Sequence, residues 1–139
     1  MDLTPMFIKQ CIASEEIQAS KLSIERGDLW CWKSMPTKVY MHSDSNSIIL
    51  ARKSAKPPVN TKVWIPRQDE LQKILNWGTE QLLVGLTAFA TRICSKSRPD
   101  YDKLLLSMEQ IWLAFVMKEK YEKVWNGKYW VAGDEISNF

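Results

Sequence analysis

The chain has 139 residues, of which 45% are hydrophobic and 25% charged, and its formal net charge is +3. That length and balance suit one folded domain with a sizeable core and exclude a disordered chain. The weak basic excess permits anionic partners without requiring them.

Cys11, Cys31 and Cys94 lie far apart, none in a CxxC pair, and His42 is the only histidine. A closed zinc site needs about four such ligands at tight spacing, so no metal and no cofactor is expected. No charged segment leads into an apolar run near the N-terminus, so no signal peptide is expected. The longest apolar runs fall far short of the roughly 18 residues that cross a bilayer. Reduced thiols without an export signal point to a cytoplasmic protein with no membrane partner.

Thr4 caps and Pro5 opens a first helix that carries Ile8, Cys11 and Ile12 on one face and runs to Lys21 or Leu22. Arg26-Gly27-Asp28 is a turn signal. Three short runs follow, Leu29 to Lys33, Lys38 to His42 and Ile48 to Arg52, which together predict an antiparallel meander. In the first run Trp30 and Trp32 share one face, and Leu29 and Cys31 the other. In the second, Val39 and Met41 stand opposite Tyr40 and His42. Residues 53–62, with Pro57, Pro58 and Asn60, predict an exposed loop, after which Val63 and Trp64 briefly extend a strand.

A second helix opens at Pro66, with Asp69 and Glu70 in its first turn and Leu71, Ile74 and Leu75 as its buried stripe. Gly78 should stop it and Thr79 cap a third helix. That helix spaces Leu82, Leu83, Leu86, Phe89, Ala90 and Ile93 on one side and ends by Ser95. After Arg98-Pro99-Asp100 a fourth helix turns Leu104, Met108, Ile111, Trp112 and Phe115 inward and leaves Lys118, Glu119, Lys120 and Glu122 solvated. Asn126-Gly127 either turns a hairpin or stops that helix, and both bring Trp125 near Trp130. The fold class expected is α+β over residues 1–139 as a single domain. It comprises an N-terminal helix, a short antiparallel sheet of three to four strands at about 29–52, helices at about 66–123, and a C-terminal hairpin or extended tail.

Residues 45–68 hold Arg52, Lys53, Lys56, Lys62 and Arg67, with Trp64 among them and no acid. Cations around an exposed indole suit phosphate attraction with base stacking. The same residues also fit a solvated loop with Trp64 in the core. Arg67 stands at a helix N-terminus, where free amides and the dipole favour an anion, although Asp69 and Glu70 oppose one. Arg92, Lys96 and Arg98 form a second basic cluster at the end of the third helix, where cations also complement the dipole. Trp30 and Trp32 could stack a flat ligand. The expectation is that helices pack onto them, leaving Leu29 and Cys31 outward or the sheet covered on both sides.

Catalytic signals are absent. His42 has only Asp44 near it in sequence, and there is no nucleophile elbow, phosphate-cradling glycine loop or HExxH. Glu15, Glu16 and Glu109 are not distinguished from surface or interface carboxylates. The chain is therefore expected to bind rather than to catalyse.

Two stretches carry a resemblance. Trp64-Ile65-Pro66-Arg67-Gln68-Asp69-Glu70-Leu71-Gln72 is one, and Ser107-Met108-Glu109-Gln110-Ile111-Trp112 onward to Lys123-Val124-Trp125-Asn126-Gly127 is the other. Together, over roughly the second half of the chain, they resemble small phage and prophage proteins of Gram-positive bacteria. The resemblance supplies no catalytic residues and implies a phage accessory protein acting in a bacterial host cytoplasm, such as an anti-defence factor that sequesters a nucleotide signal. Its expected partners are an anionic nucleotide or a host protein, with homo-oligomerisation. Trp64 with Arg67, Arg52 and Lys62 is the expected ligand site, followed by Trp30 and Trp32. A protein–protein interaction module and a single-stranded nucleic-acid binder are the alternatives.

Overall fold

A computed structural model describes residues 1–50, 61–93 and 107–133. These residues form an α+β arrangement of five helices and three small antiparallel sheets. They fall into two compact units, Leu3–Pro66 and a second of Met1–Asp2 with Arg67–Phe139.

In the unit Leu3–Pro66, helix α1 spans Pro5–Ala13, and the Thr4 hydroxyl caps it by accepting the Phe7 N–H at 3.4 Å. The single helix expected to reach Lys21 is interrupted at Ser14, where ψ opens to 76°. The Ser14 hydroxyl donates to the Cys11 carbonyl at 2.8 Å, a local bond that competes with helix continuation. The chain restarts as α2, Glu15–Ser20.

The strands are β1 (Ser23–Ile24), β2 (Leu29–Trp32), β3 (Met35–Met41), β4 (Ile48–Ile49) and β5 (Lys62–Ile65). The main sheet has the order β3-β2-β5. The predicted meander therefore needs correction, because its third run, as β4, pairs with β1 rather than with β3, and the sheet's third strand is β5, on the other side of β2. Burial accounts for the choice of strand. Val63, Trp64 and Ile65 are all buried and need cover on both faces, whereas Ile49 is 81% exposed. His42 closes the turn after β3, with its Nε2 2.6 Å from the Asn46 carbonyl oxygen.

As an outer strand, β5 has a free edge. The carboxamide of Gln18, from α2, satisfies it. Gln18 Oε1 accepts the Trp64 N–H at 2.8 Å, and Gln18 Nε2 donates to the Trp64 carbonyl at 2.8 Å and to the Cys11 carbonyl at 3.2 Å.

In the other unit, α3 is Gln68–Leu75. It begins after Pro66 rather than at it, because the Glu70 carboxylate reaches back to accept the Arg67 N–H at 2.8 Å. Asn76, in the left-handed region at φ 54°, ends it in place of Gly78. Helix α4 is Thr79–Ile93, and Gly78 stands in the capping place foreseen for Thr79, its carbonyl accepting the Leu82 N–H. Helix α5, Met108–Tyr121, starts where the Ser107 hydroxyl accepts the Gln110 N–H at 3.1 Å. The Asp2 carboxylate takes hydrogen bonds from Ser107 and from Gln110 Nε2.

Trp112 to Met117 of α5 are all buried, so this helix is the unit's centre and packs against α3, α4 and β6 (Lys123–Trp125). Two expected core positions lie outside it, Met108 at 48% and Leu83 at 60% exposure. β6 and β7 (Trp130–Ala132) form the C-terminal hairpin, with the Trp125 and Trp130 rings 5.1 Å apart. Its loop has four residues. Asn126 Oδ1 accepts the N–H groups of Lys128 and Tyr129, and Gly127 supplies the positive φ of 99°. The expectations for Arg52, for residues 53–60 of the loop expected over 53–62, and for Cys94, Lys96, Arg98 and Leu104 lie outside the described residues, while Lys62, expected in that loop, opens β5. Among the described residues no helix is long and apolar enough to cross a membrane.

Two outcomes test this packing. Gln18→Leu leaves the Trp64 N–H and carbonyl without their partner, at about 1–3 kcal/mol per buried group. Urea denaturation should then show a loss of about 2–4 kcal/mol. A loss under about 1 kcal/mol would show that the edge does not depend on Gln18. At Gly85 an added Cβ would stand 2.9 Å from Phe115 Cζ and 3.1 Å from Trp77 Cζ3. Gly85→Ala should therefore lower Tm, although alanine favours a helix by about 1 kcal/mol over glycine. A higher Tm would show that the Phe115 ring yields.

Candidate functional site

Strands β2, β3 and β5 contain Lys38 and Lys62 and no acidic residue. In the antiparallel register Trp30 stands opposite both Tyr40 and Trp64, and Trp32 opposite Lys62. Residues opposite one another project to the same side of a sheet. One face therefore carries Trp30, Trp32, Tyr40, Lys62 and Trp64, and the other carries Cys31, Val63 and Ile65.

α1 packs against β3 and β5, and the side it covers is that of Cys31, which is fully buried, as are Phe7 and Cys11 of the helix. Trp30 and Trp32 remain partly exposed. The expectation that helices pack onto Trp30 and Trp32 is thus not met, although Trp64 on the same face is buried. The smaller Cys31, Val63 and Ile65 let the helix approach the sheet, and the large rings are left on the other side.

The rings form a corner. Trp30 and Trp32 meet edge to face at 89°, with centroids 5.1 Å apart, while Tyr40 stacks on Trp30 at 4.8 Å and 22°. Lys62 Nζ sits 4.9 Å from the Trp30 centroid and 5.1 Å from that of Trp32. Lys38 Nζ lies 5.2 Å from the Tyr40 ring. Tyr40 reaches Trp30 from β3 and Lys62 from β5, the strands on either side of β2. Ammonium over an indole face is held by the ring quadrupole, at about 0.5–1 kcal/mol per contact on a surface.

The site expected around Trp64 is not assembled in this form. Trp64 is 4% exposed, with Lys21 Nζ 4.8 Å from its ring centroid and that lysine paired with Asp28 at 2.9 Å. Its ring is a core element with no open face for stacking. Arg67 belongs to the other unit, where its guanidinium meets Glu70 at 3.4 Å. Arg52 lies outside the described residues. Of the expected ligand residues, Trp30, Trp32 and Lys62 are brought together, and Tyr40 and Lys38 join them. The pattern of alternation already put Tyr40 in a strand, but only the pairing register sets it beside Trp30.

His42 is buried and engaged with Asn46, Asp44 is exposed, and Glu109 lies 3.6 Å from the Met1 ammonium. Among the described residues no cluster of three or more His, Cys, Asp or Glu side chains could hold a metal ion. Burial pushes the Cys31 thiol up from 9.0 to about 11, which makes it a poor nucleophile at neutral pH.

No protein-family model, curated protein or solved structure matches this chain.

The Cys31 thiol gives a pH test. Its proton is held more tightly in the folded chain than in the unfolded one, so its contribution to stability is complete below pH 9 and disappears as pH rises through about 11. Between these values wild-type stability should fall more steeply than that of Cys31→Ala, followed by chemical denaturation at each pH. Parallel curves would show that Cys31 titrates as in the unfolded chain.

Proposed function

We propose that this chain is a non-enzymatic binding protein that captures a nucleotide on the β2–β3–β5 face. The observation that carries the reading is the corner of Trp30 and Trp32 with the Lys62 ammonium in it. It places two flat aromatic surfaces and a cation within reach of one small ligand. A base stacked on an aromatic side chain contributes about 1–3 kcal/mol, and a lysine gives a phosphate a charge-assisted hydrogen bond. Lys38 stands at the opposite side of the ring row, so a ligand with two phosphates meets a cation on each flank. With no acid on the three strands, nothing on them repels an anion. The likeness to phage proteins extends the proposal to an anti-defence factor, since sequestering a nucleotide signal requires affinity alone.

Native mass spectrometry of the purified protein with a mixture of mononucleotides and cyclic dinucleotides tests this. The wild type should retain a nucleotide, and Trp30→Ala/Trp32→Ala should lose it while keeping its circular dichroism spectrum. A bare wild-type spectrum would rule the reading out. Binding only of oligonucleotides, weakening steeply with salt, would replace it with single-stranded nucleic-acid binding.

A second reading, self-association, has its own observation. The outer side of α4 presents Leu83 and Val84 at 60% and 65% exposure. The Thr87 and Thr91 hydroxyls donate back to the Leu83 and Thr87 carbonyls, at 2.7 and 2.8 Å, so their donors are satisfied within the helix. Such an uncharged stripe suits a second copy of the same stripe. Sedimentation should show a dimer that Leu83→Glu/Val84→Glu converts to a monomer, and a wild-type monomer would exclude it.

A further inference from the structure

The geometry points to Lys62 as a resident occupant of the nucleotide corner, one that covers the rings in the free protein and moves to the ligand's phosphate on binding, so that this single side chain selects nucleotides over nucleosides. The inference rests on the nucleotide reading above and adds how the site discriminates.

The Trp30 ring is stacked on by Tyr40 at 4.8 Å, from β3, and carries the Lys62 ammonium at 4.9 Å, from β5. The tyrosine stack joins two neighbouring strands in register, so it moves only with the sheet. The lysine is a flexible four-carbon stem carrying a compact ammonium with three donors. It is the removable cover. Because Trp32 stands at 89° to Trp30 and Lys62 Nζ is 5.1 Å from its centroid, withdrawal of Lys62 opens two perpendicular walls at once. A base entering there stacks on one ring and meets the other at its edge, an arrangement aromatic quadrupoles favour.

The displaced ammonium then decides the ligand. A nucleoside stacks on the rings but gives the ammonium no partner, so it must overcome both cation–π contacts without replacement. A nucleotide carries a phosphate beside the stacked base and receives the ammonium as it leaves. The corner alone could also hold a quaternary ammonium, as aromatic cages do. The strands argue against that occupant, because they carry Lys38 and Lys62 and no carboxylate to balance a second cation.

The experiment compares dissociation constants for adenosine, AMP, guanosine, GMP, cyclic di-AMP and tetramethylammonium, read by tryptophan fluorescence and calorimetry. Wild type, Lys62→Met and Lys62→Arg are used, each checked for an unchanged thermal transition. Wild type should prefer a nucleotide to its nucleoside by about tenfold or more, the scale of one charge-assisted hydrogen bond. Lys62→Met should bind nucleosides as well as or better than wild type and nucleotides worse, bringing the ratio to about one, and Lys62→Arg should restore the preference. A ratio unchanged in Lys62→Met, or equal loss of both ligands, overturns the role of Lys62 and leaves the nucleotide reading standing. Absence of nucleotide binding in the wild type overturns both. Binding of tetramethylammonium in place of nucleotides assigns the corner to cations and overturns both as well.

Discussion

The carboxamide of Gln18 bonds both backbone groups of Trp64, and the arrangement of the Leu3–Pro66 unit follows from that contact. An outer strand presents unpaired N–H and carbonyl groups that bury poorly and invite pairing with other chains. Among side chains, only the amides of glutamine and asparagine offer a donor and an acceptor together in the geometry of a neighbouring strand. Gln18 closes the edge of β5 in this way, and a third bond from the same amide to the Cys11 carbonyl ties the contact back to α1. Held at Trp64, the strand puts Lys62, two residues earlier and on the same face, into the corner between Trp30 and Trp32.

The break at Ser14 belongs to the same construction. It divides the N-terminal helical segment in two and gives Gln18 an element of its own, α2. Lys21, just beyond that element, lies over the Trp64 ring and pairs with Asp28, so the indole is covered where its backbone is bound. The sheet is then dressed differently on its two sides. Small apolar residues lie under α1, while an aromatic row with two lysines remains partly open on the other. Open indoles with cations over them are weakly held compared with a packed core, and a weakly held cover is what a binding surface needs in order to open.

Local chemistry was legible in the sequence where a residue acts on its own neighbours. Thr4 with Pro5, the turn at Gly27, the acids opening α3, and the hairpin around Asn126 are all of this kind. Errors arose where two local signals competed or where the partner was distant. Asn76 took the left-handed position that Gly78 could have supplied, and the Ser14 hydroxyl outweighed the apolar periodicity running through it. The identity of the second strand beside β2 could not be read locally, because β5 is fixed through Gln18, 46 residues before Trp64. The candidate site failed and succeeded for the same reason. Alternation showed that Trp30 and Trp32 share a face, but which face a helix covers depends on α1. The basic stretch around Trp64 surrounds an indole that Lys21 and the core enclose, although one of its cations, Lys62, does belong to the site.

The most direct measurement is a titration of the protein with the nucleotide it retains, followed through the indole N–H signals of its seven tryptophans by nitrogen-correlated NMR. The account predicts shifts concentrated on Trp30 and Trp32, with Trp64 and Trp125 unmoved because both are buried. Shifts at Trp64 or Trp125 with Trp30 and Trp32 silent, or no shift at any of the seven, would contradict it.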